Sequence, residues 1–325
     1  MKTYLLPTFT AFLLCALLLQ CEAPRNNPLD PSNPNSPYVT LRGTIESLSL
    51  PRINVSGARV IWGNGSEAVI SDADGRFRMG NILPEDGWLV IEKEGYHSDS
   101  AYVQWGTRKE FVQDMVLNAR PSLNSLRIYT VVINRPPFLR EYNVTIEAAI
   151  TDVDNDIDSV SWKVKDLDIK GILKYDLDAE RYAVNFTPSQ YNLGNEEIVG
   201  YPFDISVKDK DGNAVEIGKN QISRFISGEV VLSSPLITDP PVEEKPTLVW
   251  ESFNPGFSHT YTVEVLRNLP EEIPELVWEK SGIPSTSKDV AVDIALEPGS
   301  YIWAVWVVDE FRNRSRSKFG SFQVN

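Results

Sequence analysis

Four aspartates occupy alternate positions in one short stretch, Asp152-Val153-Asp154-Asn155-Asp156-Ile157-Asp158. A hard cation such as Ca²⁺ takes about six to eight oxygen ligands, and closely spaced carboxylates on a loop supply several of them. Asp152, Asp154 and Asp156 are therefore the candidate metal ligands. Calcium is the one cofactor these residues suggest; no other is expected. Asp209-Lys210-Asp211-Gly212-Asn213 is a second loop of this kind. Against the metal reading, Asp and Asn are good turn formers, and the first stretch lacks the later bidentate Glu of an EF-hand. Two tryptophans are candidates for a binding surface. Trp306 stands on the alternation Tyr301 to Val308, on the face opposite Tyr301 and Trp303, where an outward ring could take a partner or a sugar. Trp105, beside Gly106, is a candidate loop-tip aromatic. Nucleophilic catalysis needs a base, most often His. Only His97 and His259 exist, in separate regions and away from any G-x-S-x-G pattern, so both are expected as surface or loop residues and no catalytic residue is assigned.

The chain carries a formal charge of -14 over 325 residues. An acidic balance argues against nucleic acid, which is bound by neutralising phosphates with Lys and Arg. The two cysteines are Cys15 and Cys21. Cys15 lies within, and Cys21 just after, an apolar run, Tyr4 to Leu19, preceded by Lys2, which has the order of a secretory signal. A membrane-spanning helix is not expected there, because the run falls short of the ~20 apolar residues that a bilayer needs and Pro7 interrupts it. Glu22 to Pro37 contains five prolines and four asparagines, so it has little to bury and reads as a stiff tether.

The rest of the chain alternates with period two. Val39 to Ile45, Ala58 to Trp62, Glu67 to Ile70, Arg76 to Met79, Trp88 to Ile91, Ala101 to Trp105 and Phe111 to Leu117 are strand candidates. Turn signals such as Asp74-Gly75 and Glu94-Gly95 separate them, which indicates a β-sandwich. A second β region follows from Ser125 to about Ile226. In it Val160, Trp162 and Val164 point one way, while Ser159, Ser161, Lys163 and Lys165 point the other. A proline-and-charge segment, Asp239 to Pro246, precedes a third set of strands.

Five resemblances attach to these residues. Leu18-Leu19-Gln20-Cys21 resembles the lipobox of bacterial lipoproteins, with Gln20 in place of the usual small residue. This resemblance implies that Cys21 is acylated and becomes the first mature residue. The N-P-L-D-P tether is similar to those of Bacteroidetes-like lipoproteins. Gly43, Val55-Ser56-Gly57-Ala58-Arg59-Val60, Ser71 to Phe77, Ile82-Leu83-Pro84 and Glu94-Gly95-Tyr96 resemble carboxypeptidase regulatory-like domains, which implies a transthyretin-like sandwich and no peptidase chemistry. Leu296-Glu297-Pro298-Gly299-Ser300-Tyr301-Ile302-Trp303 resembles the fibronectin type III family, whose tyrosine corner falls on Tyr301. The second region looks loosely like an immunoglobulin-like sandwich.

The expected organisation is all-β: a lipoprotein signal over 1–20, a tether over 21–37, then sandwiches over 38–118, 124–227 and 247–325, with a linker at 228–246. The expected function is non-enzymatic display, docking or adhesion at the cell envelope. The chain would be anchored by lipid in the outer membrane and would meet protein or glycan, not nucleic acid. The alternatives are a carbohydrate-binding accessory of a polysaccharide system and a calcium-stabilised adhesin. Thermal unfolding of residues 38–325 in millimolar Ca²⁺, against EDTA, separates the last of these. A native-state site filled to 100 times its Kd adds about 2.7 kcal/mol. A shift that is lost in Asp154→Ala identifies calcium ligands, and coincident curves leave the aspartates as turn formers.

Overall fold

A computed structural model describes Asn27, Asn33, residues 35–63, Gly65, and residues 67–269 and 272–325. The signal sequence, Cys21 and most of the tether lie outside the described residues. Strands dominate, and the only helices among the described residues are three short 3-10 turns. The described residues divide into two compact units, those up to 120 with 152–155, and residues 121–151 with those from 156 on.

The first unit holds eight strands: β1 (Val39–Ser47), β2 (Arg59–Trp62), β3 (Glu67–Ile70), β4 (Arg76–Ile82), β5 (Gly87–Glu92), β6 (Asp99–Val103), β7 (Glu110–Val112) and β8 (Met115–Leu117). They form two four-stranded sheets, β4-β1-β7 with β8 also on β1, and β3-β2-β5-β6. Leu41, Ile45, Val60, Phe77, Leu89 and Ile91 alternate with less buried residues and fill the space between the sheets. The stretch read as one strand from Phe111 to Leu117 is two. β7 pairs in parallel with Thr40–Arg42 of β1, and β8 with Ile45–Ser47. Across the break the Asp114 carboxylate accepts the Thr44 N–H at 2.8 Å. The Gln113 carbonyl passes so close that a Cβ on Gly43 would stand 1.8 Å from it, so only glycine fits. Gly75 has φ +71°, the left-handed backbone that the Asp74-Gly75 turn calls for, and Asp72 Oδ1 accepts the N–H groups of Asp74 and Arg76.

The second unit begins with β9 (Ser122–Arg135), β10 (Leu139–Thr151), β11 (Ile157–Val164), β12 (Ile169–Asp176), β13 (Arg181–Phe186), β14 (Pro202–Asp209) and β15 (Ala214–Gln221). They run in the order β15-β14-β11-β12-β13-β10-β9 and enclose one core. Trp162 is buried there, stacked on Phe186 at 4.8 Å and 11°. Its neighbours Val160 and Val164 are buried as the alternation requires. The end of the second β region, Ile222 to Ile226, is irregular after β15, yet it buries Ile222, Phe225 and Ile226.

The C-terminal strands are β16 (Leu232–Ser234), β17 (Thr247–Trp250), β18 (His259–Arg267), β19 (Glu275–Pro284), β20 (Asp289–Ala291), β21 (Gly299–Asp309), β22 (Arg314–Arg316) and β23 (Gly320–Val324). Segment 228–246, read as a linker, buries Val230 and contributes β16, which pairs with β17. The Pro235 carbonyl in it accepts the Trp303 indole N–H at 2.9 Å. Tyr301 and Trp303 face inward, and the Tyr301 hydroxyl donates to the Glu297 carbonyl at 2.8 Å, as a tyrosine corner does.

The two sandwiches of this unit share one sheet. β22 pairs in parallel with β9, with Arg314 opposite Val131 and Arg316 opposite Ile133, so a 12-stranded sheet runs through both. Polar side chains seal the junction. Asn313 is 0% exposed; its Oδ1 accepts the Thr130 N–H at 2.9 Å, and its Nδ2 donates to Ser223 Oγ and Asp309 Oδ2. Asn134 Nδ2 donates to the Arg316 carbonyl at 2.7 Å, and Ser315 Oγ donates to the Gly228 carbonyl. Removing one partner from such a network leaves several buried groups unsatisfied, each costing about 1–3 kcal/mol. Asn313→Ala is therefore expected to lower the unfolding free energy in urea by about 2–4 kcal/mol. A loss no larger than that of an ordinary surface substitution would show that the seam is not a stabilising element.

Candidate functional site

The outer face of the shared sheet carries the most developed site. Trp306 of β21 points away from the Tyr301–Trp303 core, as its parity requires. β18 and β22 flank β21, so Thr262 and Arg316 stand beside Trp306 in register. The Arg314 guanidinium lies 4.9 Å from the Trp306 ring centroid and that of Arg316 lies 5.8 Å away. Arg314 also sits 6.0 Å from the Tyr129 ring, and Arg316 sits 4.0 Å from that of Phe319. Aromatic and guanidinium groups thus alternate along a row, Tyr129, Arg314, Trp306, Arg316, Phe319, that crosses the β9–β22 junction. Each such contact is worth about 0.5–1 kcal/mol at an exposed site and more when desolvated. The indole is half-buried and engaged by two arginines.

Beside this row lies a groove of about 540 Å³, lined by Tyr129, Glu264, Glu279, Trp306, Arg312 and Arg314 among others. Glu264 and Glu279 face each other across β18 and β19. Burial raises the Glu264 pKa, and the negative charge of Glu279 adds to the rise; a hydrogen bond from the Trp306 indole and the charges of Arg316 and Arg314 oppose it. Burial likewise pulls the Arg316 guanidinium below its usual value. The groove therefore holds carboxylates and guanidiniums at close quarters on rigid strands. That arrangement suits reversible binding of a polar or charged partner.

The other sequence candidates are placed as follows. Trp105 is not a loop-tip aromatic: it is 1% exposed, edge-on to Trp62 at 5.9 Å and packed against Phe111 in the first core. Its apolar ring contributes more in the core than Gly106 beside it suggested. His259 is also not a surface residue. It opens β18 among Phe253, Phe257 and Tyr261, with Nδ1 3.2 Å from the Phe257 carbonyl. His97 is half-buried in the first unit, where its backbone N–H donates to the Asn118 carbonyl.

The aspartates are divided between the units. Asp152 and Asp154 group with the first, where the Asp154 carboxylate accepts the Ala119 N–H. Asp156 is buried in the second, where its carbonyl accepts the Lys210 N–H at 2.9 Å, beside the Asp209–Asn213 turn. Among the described residues no group of three or more His, Cys, Asp or Glu side chains is arranged to hold a metal. Asp209 instead accepts the backbone and side-chain N–H groups of Asn213, which closes the β14–β15 turn. Sequence reasoning missed Glu264, Arg314 and Arg316. The available signal was Arg314-Ser315-Arg316, whose alternation puts both guanidiniums on one face of a strand beside a tryptophan-rich strand.

No family model matches the chain, and no curated protein matches it. Solved structures give distant likenesses. The major pilin subunit of Bacillus cereus is 10% identical over 89% of this chain and 95% of its own, with a TM-score of 0.28. The fibronectin(III)-like modules of Clostridium thermocellum CbhA are 12% identical over 63% of this chain and 93% of their own, at 0.31. The chicken CNTN1 FN1–FN3 domains are 8% identical over 84% and 92%, at 0.31. The all-β sandwich architecture rests on the strands and sheets of this chain itself.

Protonation of Glu264 gives a test of the groove's electrostatics. The native state holds this proton to higher pH than the unfolded chain does, so stability falls as pH rises from the ordinary Glu range through the raised native value. Glu264→Gln keeps an acceptor for the indole and removes the titration. It is expected to flatten that fall and to match or exceed the wild type at neutral pH in urea melts taken across the acidic range. An unchanged pH slope would show that Glu264 is solvated and ordinary.

Proposed function

We propose that this is a non-enzymatic protein of the cell envelope, attached to the outer membrane through lipid on Cys21, that docks or adheres through its β-sandwich surfaces. The observation that supports this reading best is the charged groove beside Trp306. It is built on the sheet that fuses two sandwiches, so its rim is held rigidly and little ordering is needed on binding. Arginine and aromatic side chains, which line this groove, are enriched in protein interfaces and their hot spots. The reading of Cys21 rests on the lipobox and tether alone. No helix among the described residues is long and apolar enough to cross a membrane.

Two measurements test the proposal. Cells fed labelled palmitate should label the wild-type chain and retain it in the outer-membrane fraction, and Cys21→Ser should lose both. Retention of that variant in the membrane would overturn lipid anchoring. Reversing charges in the groove with Glu279→Lys and Arg314→Glu should leave anchoring intact and lower cell attachment about tenfold, the equivalent of about 1.4 kcal/mol. Undiminished attachment would remove the groove as the docking surface.

A further inference from the structure

A second surface, on the first unit, has a different chemistry. Trp88 of β5 and Tyr102 of β6 are register partners on the outer face of their sheet. They are 54% and 50% exposed, an unusual state for two large neighbouring rings. Their centroids lie 5.2 Å apart at 66°, edge to face. Both line a depression of about 680 Å³ whose polar wall includes Glu67, Glu85, Asp86 and Asn81. Asp86 is fixed in place, since its Oδ1 accepts the Trp105 backbone N–H at 2.8 Å. Asn81 stands at φ +62°, a left-handed backbone that Asn tolerates and that sets its position at the end of β4.

Each feature restricts the ligand. Every ionisable group at the carboxylate wall is an acid, so uronates, sulfates and phosphates are repelled. A cation over one ring face uses only the ring and the charge, whereas this wall also offers a fixed Asp86 carboxylate and the Asn81 amide, which are acceptors with direction. Trp88 and Tyr102 touch each other edge to face, so they present one open ring surface and not two facing walls. A neutral pyranose needs only one such surface, for its C–H face, with directional acceptors beside it for its hydroxyls. The Asp86 and Glu85 carboxylates and the Asn81 amide provide these. We infer that the Trp88–Tyr102 corner of the first sandwich binds a neutral hexose oligosaccharide. This assigns a ligand class to a surface separate from the Trp306 groove, and the outcome of either test leaves the other standing.

The test is calorimetric titration of the purified full-length chain with neutral hexamers (β-1,4-glucan, β-1,4-mannan and α-1,4-glucan), a hexa-galacturonate and a hexa-arginine peptide. At least one neutral hexamer should bind. Its Kd should rise about tenfold or more in Trp88→Ala and in Tyr102→Ala, about 1.4 kcal/mol. Trp88→Phe, which keeps a ring, should lose about threefold or less. Both truncations are at exposed positions, and unchanged melting temperatures confirm that the variants are folded. Three results overturn the inference: no neutral hexamer binds, the neutral ligand binds equally well to Trp88→Ala, or hexa-arginine or galacturonate is the Trp88-dependent ligand.

Discussion

The second unit depends on a buried polar contact between two edge strands. β9 ends one sandwich and β22 borders the next, and each alone would leave a row of unpaired backbone groups. Pairing them in parallel satisfies those groups, but a three-residue strand makes few ladder bonds. Asn313 and Asn134 complete the junction by bonding across it to Thr130, Ser315 and the Arg316 carbonyl. Because these side chains are removed from water, a slip in register would leave several polar groups unsatisfied at once. The seam therefore specifies one arrangement of the two sandwiches as well as stabilising it.

The surface site follows from that arrangement. Tyr129 belongs to one sandwich, and Arg314, Trp306, Arg316 and Phe319 belong to the other, yet they form a single row because β9 and β22 are neighbours. Arg224 has a related role. It stands 3.6 Å from the buried carboxylate of Asp309 and 4.4 Å from the Phe257 ring, so a charge from the segment after β15 is neutralised within the C-terminal sandwich. The guanidinium is suited to this because it is planar, stacks on rings and is weakly hydrated. The same residue type thus serves the interior contact and the outer row, half-buried at both Arg224 and Arg316.

The first unit is organised differently. Its core is apolar, and Trp62 and Trp105 fill it edge to face. Its open aromatics stand on the outer face of the sheet β3-β2-β5-β6. The two units accordingly offer unlike surfaces: a mixed-charge groove on one, and an acidic aromatic corner on the other.

Much of this was legible in the sequence. Alternation at Val160-Trp162-Val164 and at Tyr301-Trp303-Val305 identified buried faces, because a strand's side chains switch sides at every residue and only apolar ones gain by leaving water. Asp74-Gly75 marked a turn through its backbone requirement, and the L-x-P-G-x-Y-x-W run located the tyrosine corner. These are local properties, set within a few residues. The placement of Trp105, the inward packing of His259, the strand inside segment 228–246 and the division of the Asp152–Asp158 stretch between two units were not legible. Each depends on which distant strand lies alongside. Trp306 shows the boundary most clearly. Its parity put it outside, as the alternation required, but whether its ring would be bare or covered was decided by Arg314 and Arg316. Those residues reach it only because β21 and β22 pair antiparallel, and the row extends to Tyr129 only because β22 also pairs with β9. Local periodicity determined the faces of the strands, and long-range hydrogen bonding between strands determined what each face meets.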